Sequence, residues 1–450
     1  MSYIGSTPTS QNFISGTDYF NGTGSATAFT LSRTVASVND IQAVVNNVVQ
    51  VPNDAYTISG TTITFTSAPS AGTSNVYVRY LSTTTQAITP SQGTVSWSTL
   101  NADVQQDLGI SFKNRIINGA MVINQRAFNG TISDNYTLDR WSSYQNTSGA
   151  MTIQQSSVAP AGFKNSLLAT ITSQATSLGT NFAIVRQYVE GYNMADLGWG
   201  TADAKTVTLS FWVRSSVTGT FGGAMQTGNN LYAFGFSYTI NTANTWEYKT
   251  ITVVGPTSGT WGSTNDRGID LDFGLASASG LTANTWQANG VSGNYYYTVS
   301  GQTNLFATNG NTWQITGVQL ELGTQATTFD YRSIGTETLL CQRYYIRYAN
   351  GTGQRLGVGD RYASTFIQCM TFFPTEMRTV PTLVATTGSG YYVFYQAGTA
   401  HTFNSFTLDS GTTTKIAVMY NSGDTSATAG QCGMYQTNNA SGSIAFSAEL

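Results

Sequence analysis

The stretch Val207-Thr208-Leu209-Ser210-Phe211-Trp212-Val213 decides the fold. Val207, Leu209, Phe211 and Val213 fall at every second position, which puts them on one face of an extended strand. Glu247-Tyr248-Lys249-Thr250-Ile251-Thr252-Val253, Gly268-Ile269-Asp270-Leu271-Asp272-Phe273 and Trp313-Gln314-Ile315-Thr316-Gly317-Val318-Gln319-Leu320 read as further strands, as does Tyr232-Ala233-Phe234-Gly235-Phe236-Ser237-Tyr238. Turn residues separate these runs and no helical pattern alternates with them. The region therefore predicts an antiparallel sandwich of jelly-roll type, the centre of an all-β chain.

Moving towards the amino terminus, Ile41-Gln42-Ala43-Val44-Val45 and Val48-Val49-Gln50-Val51 flank Asn46-Asn47, a pair that tolerates positive φ and suits a tight hairpin. Tyr56-Thr57-Ile58 and Thr62-Ile63-Thr64-Phe65 flank Ser59-Gly60-Thr61 in the same way, and Val76 to Leu81 alternates as another strand. Residues 29–85 thus predict a hairpin β module, preceded by an aperiodic arm over residues 1–28 that is rich in Gly, Ser and Thr. A linker over residues 86–113 holds one short helix, Thr99 to Leu108. Its Leu100, Val104 and Leu108 make a narrow apolar stripe, which suits either symmetry mates on a shared axis or the next domain. The sandwich is assigned residues 114–350, with an exit helix over Glu337 to Tyr348 capped by Thr336. Residues 351–450 form a last β domain, expected to be a sandwich.

Composition narrows the function classes. Among 450 residues, charged side chains make up 9%, against roughly 25% in an ordinary soluble domain. Thr, Ser, Asn and 46 Gly take their place, and such a surface can pack against copies of itself without stranding charges. A net charge of −3 with no basic cluster excludes phosphate-neutralising nucleic-acid binding. No run approaches the ~18 apolar residues of a membrane span, and the opening Met1 to Ser6 has neither the basic region nor the apolar run of a signal peptide. Three widely spaced cysteines, Cys341, Cys369 and Cys432, read as thiols of a chain folded in a reducing cytoplasm.

Three segments resemble a known group. Asn114-Arg115-Ile116-Ile117-Asn118-Gly119-Ala120-Met121-Val122-Ile123-Asn124-Gln125-Arg126, followed by Asp139-Arg140-Trp141, resembles the opening of carbohydrate-binding-module-like jelly rolls in bacteriophage tail and fibre proteins. Gly317 to Gly323, Phe329 to Glu337 and Cys341-Gln342-Arg343-Tyr344-Tyr345 resemble the closing strand and exit helix of the same domains. Pro374 to Thr382 with Ser447-Ala448-Glu449-Leu450 is similar to the domains that follow them. The resemblance implies a virion appendage, assembled in the host bacterial cytoplasm as a homotrimeric fibre. Its amino-terminal region would mount on other virion tail or baseplate proteins, and its carboxy-terminal tip would face host surface polysaccharide.

No enzyme signature supports catalysis. The single histidine, His401, reads as a surface or turn residue, and no Gly-x-Ser-x-Gly elbow accompanies it. Asp270 and Asp272 alternate on one strand and share a face about 7 Å apart, compatible with a weak cation site or an inverting glycosidase pair. A solvated or ion-paired face is the plainer reading. No cofactor or firm metal site is expected. Sugar binding looks instead to aromatic rings, with Tyr295 and Tyr297, Tyr391 and Tyr392 with Tyr395, and Trp141 as candidates. Trp141 reads first as part of a structural cluster. The rival functions are a polysaccharide-degrading tailspike acting through Asp270 and Asp272, and a purely structural head-fibre or baseplate spacer.

Overall fold

The computed structural model describes residues 16–81, 113–131, 134–289 and 295–450. The expected helix over Thr99 to Leu108 lies outside the described residues. The chain is nearly all β, built from antiparallel sheets in sandwich-like pairs, and divides into two compact units, Met1–Thr99 and Leu100–Leu450.

In the first unit the strands are β1 (Thr17–Gly22), β2 (Ala28–Thr30), β3 (Ile41–Val45), β4 (Val48–Val49), β5 (Tyr56–Ser59), β6 (Thr62–Phe65) and β7 (Gly72–Tyr80). They form sheets ordered β1-β7-β3-β4 and β2-β6-β5, with Ile41, Ala43, Val76 and Val78 of one and Tyr56, Ile63 and Phe65 of the other in a shared core. Both predicted hairpins are present: Asn46 and Asn47 sit at φ 49° and 66°, and Gly60 at 61°. Within the stretch expected as an aperiodic arm, residues 1–28, β1 is a paired strand and β2 begins at the last residue. Asp18 explains part of the ordering, since its carboxylate accepts from the Ser32 N–H and hydroxyl, each at 2.7 Å, and from the Tyr80 hydroxyl.

The sandwich strands are β8 (Asn129–Thr131), β9 (Asp134–Tyr136), β10 (Trp141–Gln145), β11 (Ala150–Ser156), β12 (Ser166–Ser173), β13 (Phe182–Glu190), β14 (Val207–Ser215), β15 (Gly219–Thr227), β16 (Tyr232–Ile240), β17 (Glu247–Val253), β18 (Arg267–Ser277), β19 (Thr285–Ala288) and β20 (Thr312–Leu322). A seven-stranded sheet, β19-β16-β15-β18-β13-β10-β9, packs on a six-stranded one, β17-β14-β20-β12-β11-β8. The alternation read from the sequence governs the core. Leu209 and Phe211 of β14 meet Leu271 and Phe273 of β18, and the Phe273 ring has Phe211 at 5.1 Å, Phe236 at 5.9 Å and Trp313 at 6.1 Å.

Ser333 caps the helix α1 (Ile334–Gln342), its hydroxyl accepting from the Thr336 N–H. This is shorter than the expected helix and capped three residues earlier than Thr336. Tyr345 and Ile346, β-favouring residues, leave the helical path for β21 (Tyr345–Asn350), which pairs with β30 (Ser443–Ser447). The remaining strands are β22 (Arg355–Ala363), β23 (Phe366–Phe372), β24 (Thr382–Ala385), β25 (Tyr392–Gln396), β26 (Thr399–Phe403), β27 (Thr407–Leu408), β28 (Ile416–Ser422) and β29 (Cys432–Thr437). They build a three-stranded sheet, β21-β30-β24, and a seven-stranded one, β26-β25-β29-β22-β23-β28-β27, around a core that holds Ile367, Phe394, Met419, Tyr435 and Phe446.

Candidate functional site

Strand β13 turns Val185, Gln187 and Val189 towards the sandwich core and leaves Phe182, Ile184, Arg186 and Tyr188 on the opposite face of its sheet. Pairing sets Arg186 opposite Asp272 of β18, and Tyr188 opposite Asp270. Both aspartates therefore lie on one face, as their alternation predicts. Arg186 Nε donates to Asp272 Oδ1 at 2.7 Å, and Gln226 Nε2, from β15, donates to Asp272 Oδ2 at 2.6 Å. Asn289 Nδ2 donates to Gln226 Oε1 at 2.7 Å, and Arg186 Nη1 to the Tyr188 hydroxyl at 2.9 Å. The result is one polar chain across three neighbouring strands.

Aromatic rings frame this chain. The Arg186 guanidinium lies 4.9 Å from the Tyr297 ring centre and 5.3 Å from that of Tyr188, while Arg267 covers Tyr188 at 4.2 Å. Tyr297 packs on Phe182 at 4.5 Å, which packs on Tyr144 at 5.4 Å. Tyr144, Tyr188 and Tyr297 are each half-buried, so each keeps some surface open to solvent. The segment bearing Tyr297 reaches this place because the sheet beneath it is glycine. A Cβ on Gly274 would stand 2.3 Å from Thr298 Oγ1, and one on Gly222 would stand 2.4 Å from Val299 Cγ2.

Burial pushes the Asp272 pKa upward against the pull of Arg186, whereas the Arg186 pKa, which burial alone would lower, is driven up by Asp272. These shifts pull in opposite senses for the pair. The guanidinium decides, because it does not deprotonate in proteins and keeps a charged partner beside it. Arg186 Nη2 is buried and has no hydrogen-bond partner among the described residues. Asp270 is engaged by Arg267, with Nε at 3.1 Å from Oδ1. Each candidate catalytic carboxylate is thus occupied by a guanidinium, a poor state for a proton-transfer group. Among the described residues, no three His, Cys, Asp or Glu side chains converge to hold a metal ion.

The other sequence candidates are dispersed. Trp141 is fully buried, with its indole N–H donating to the Asn118 carbonyl at 3.0 Å, so no ring face is offered to a sugar. Its neighbours explain the motif: Asp139 accepts from Gln125, and Arg140 pairs with Glu449 and lies 3.6 Å from the Tyr344 ring centre. Tyr392 is likewise buried, its hydroxyl donating to the Thr386 carbonyl at 2.7 Å. Tyr391 is half-buried against the C-terminal core, whereas Tyr395 points outward, so that trio is not one platform. Tyr295 is half-buried, two residues before Tyr297. His401 is half-buried on β26 opposite Phe394.

Sequence reading missed Arg186, Tyr188, Gln226 and Tyr144. The available signal was Phe182-Ala183-Ile184-Val185-Arg186-Gln187-Tyr188, where an arginine follows four apolar residues of a strand and calls for a buried partner. A separate cavity of about 190 Å³ is lined by Phe163, Phe329 and Tyr331 with Asn114, Arg332 and Glu337. Its polar groups are engaged locally: Asn114 Nδ2 donates to the Val318 carbonyl at 3.0 Å, and Arg332 pairs with Glu337 at 3.4 Å. Among the described residues no helix is long and apolar enough to cross a membrane.

No protein-family model and no curated protein matches the chain. Among solved structures, the enzymatically active domain of bacteriophage CBA120 tailspike protein 4 matches at 15% identity and TM-score 0.29, covering 48% of this chain and 22% of that one. A putative sugar-binding protein from Bacteroides thetaiotaomicron matches at 12% identity and TM-score 0.26, covering 47% of this chain and all of that one (100%). A family 11 carbohydrate-binding module from Clostridium thermocellum matches at 13% identity and TM-score 0.24, covering 44% and 96%. This chain spans under a quarter of the tailspike domain, and TM-scores of this size assign neither activity nor ligand.

Proposed function

We propose that this chain is a non-enzymatic, self-associating subunit of a bacterial virus appendage, a homotrimeric fibre protein that binds host surface glycan on the outer face of its central sandwich. The observation that carries the glycan reading is the strip of half-buried Tyr144, Tyr188 and Tyr297 around the Arg186–Asp272 pair. Tyrosine rings suit the C–H faces of sugars, and the fixed polar chain between them suits hydroxyls. A locked ion pair keeps the guanidinium and carboxylate in place before a ligand arrives, which lowers the ordering cost of binding. The fibre reading is supported by the opening and closing motifs and by a surface poor in charge. On this reading the amino-terminal unit mounts on other virion proteins, and assembly takes place in the bacterial cytoplasm.

Titration of the full chain with purified host surface polysaccharide tests the proposal. Tyr297→Ala and Tyr188→Ala should each weaken binding by up to ~10-fold, about the worth of one lost ring contact. Binding by the unmodified chain that neither change alters would move the site elsewhere, and no binding at all would favour a spacer. Polymer length and reducing ends should stay unchanged on incubation. New reducing ends would overturn the non-enzymatic part.

A further inference from the structure

The large sheet of the carboxy-terminal domain buries one face and leaves the other apolar. Ile367, Cys369, Ala417, Met419, Phe394 and Tyr435 point into the core. On the opposite face, pairing places Ala400 beside Tyr395, Tyr395 beside Met434, Met434 beside Val358, and Met370 beside Val418. Gly359 opposite Cys369 brings Val358 next to Met370 and closes the row, which crosses six strands. Phe372 opposite Ile416 extends it. Val358 is 73% exposed, Phe372 67%, Met370 57% and Tyr395 37%, values out of keeping with sheet residues of this type unless something covers them.

We infer that this face is a self-association surface, covered by the same face of sister copies of the chain. The inference rests on the proposed reading of the protein as a self-associating subunit and assigns the surface that does it. Chemistry selects the partner. Asp360 is the charged side chain within the patch and accepts from Gln368 Nε2 at 3.2 Å, while Arg355, at the margin, is turned onto the Met434 sulfur. Such a face offers phosphates one cation, already turned onto a sulfur, and offers sugar hydroxyls few partners, since the row is mostly Val, Met and Ala. A sister copy presents the same mostly uncharged side chains, as interfaces between obligate identical subunits do. Six strands at ~4.8 Å spacing make a stripe about 24 Å wide, and six or seven residues along β23 add about 20 Å. Roughly 500 Å² a side, or about 1,000 Å² in total, reaches the lower bound of a specific interface.

Light scattering on the full chain at micromolar concentration tests this, comparing the unmodified protein with Val358→Glu/Phe372→Glu. Both positions face solvent, so the circular dichroism spectrum should not change. The expected result is about three chain masses for the unmodified protein and one for the variant. An oligomer that survives both substitutions overturns the assignment of this face and leaves self-association standing. A monomeric unmodified chain overturns both, while the glycan reading is judged by its own titration. Should the glutamate variant misfold, Met370→Cys in a Cys432→Ser background replaces it. Oxidation should then yield a disulfide-linked dimer band, and its absence counts against the face.

Discussion

Arg186 and Asp272 are separated by 86 residues in sequence and joined across two paired strands. Removing one of them strands the other's charge in a buried setting, which typically costs ~3–5 kcal/mol. Asp272→Ala should therefore destabilise the sandwich strongly in urea unfolding, while Arg186→Met together with Asp272→Leu should recover much of that loss. A double variant as unstable as the sum of the singles would show that the two side chains do not act as a pair. Nothing local to either residue announces the other. Alternation put Asp270 and Asp272 on one face, and Arg267 lies three residues before Asp270, but the arginine that occupies Asp272 became visible only through strand pairing.

The element that organises the site is the segment laid over the glycines of β15 and β18. Gly274→Ala should lift Thr298 and with it Tyr297, costing ~1–3 kcal/mol and weakening glycan binding even though the new methyl touches no ligand. A second element-scale contact joins β13 to the chain leaving α1. Arg343 pairs with Glu190, and the buried Tyr344 hydroxyl donates to the same carboxylate. Burial opposes the charge of Glu190, yet the donors from Arg343 and Tyr344 outweigh it and hold its pKa below the usual 4.5. A depressed carboxylate contributes its stability fully above the unfolded value and loses it as pH falls through the folded one. The unmodified chain should accordingly lose stability more steeply than Glu190→Gln between about pH 5 and pH 3. Parallel urea midpoints across that window would remove this account of the joint.

For the whole molecule, the two compact units have separate cores. The first is small, with a core cluster of ten buried hydrophobic residues among the described residues, near the size at which a domain is marginal alone. Thermal unfolding of the intact chain should show an early transition of small enthalpy followed by a larger one. A single cooperative transition would show that the units share more stabilisation than their cores suggest.

Sequence by itself determined the all-β class, both amino-terminal hairpins and the inward face of β14. These depend on a period of two and on turn residues with positive φ, which are local properties. It overshot α1 by six residues, because Tyr345 and Ile346 have a pairing partner in β30 that lies about 100 residues away. Tertiary structure alone decided which rings were usable: it enclosed Trp141 and Tyr392 and brought Tyr144, Tyr188 and Tyr297 together from three distant segments. A ring's exposure depends on what the rest of the chain lays against it, and that is set by long-range packing rather than by its neighbours in sequence.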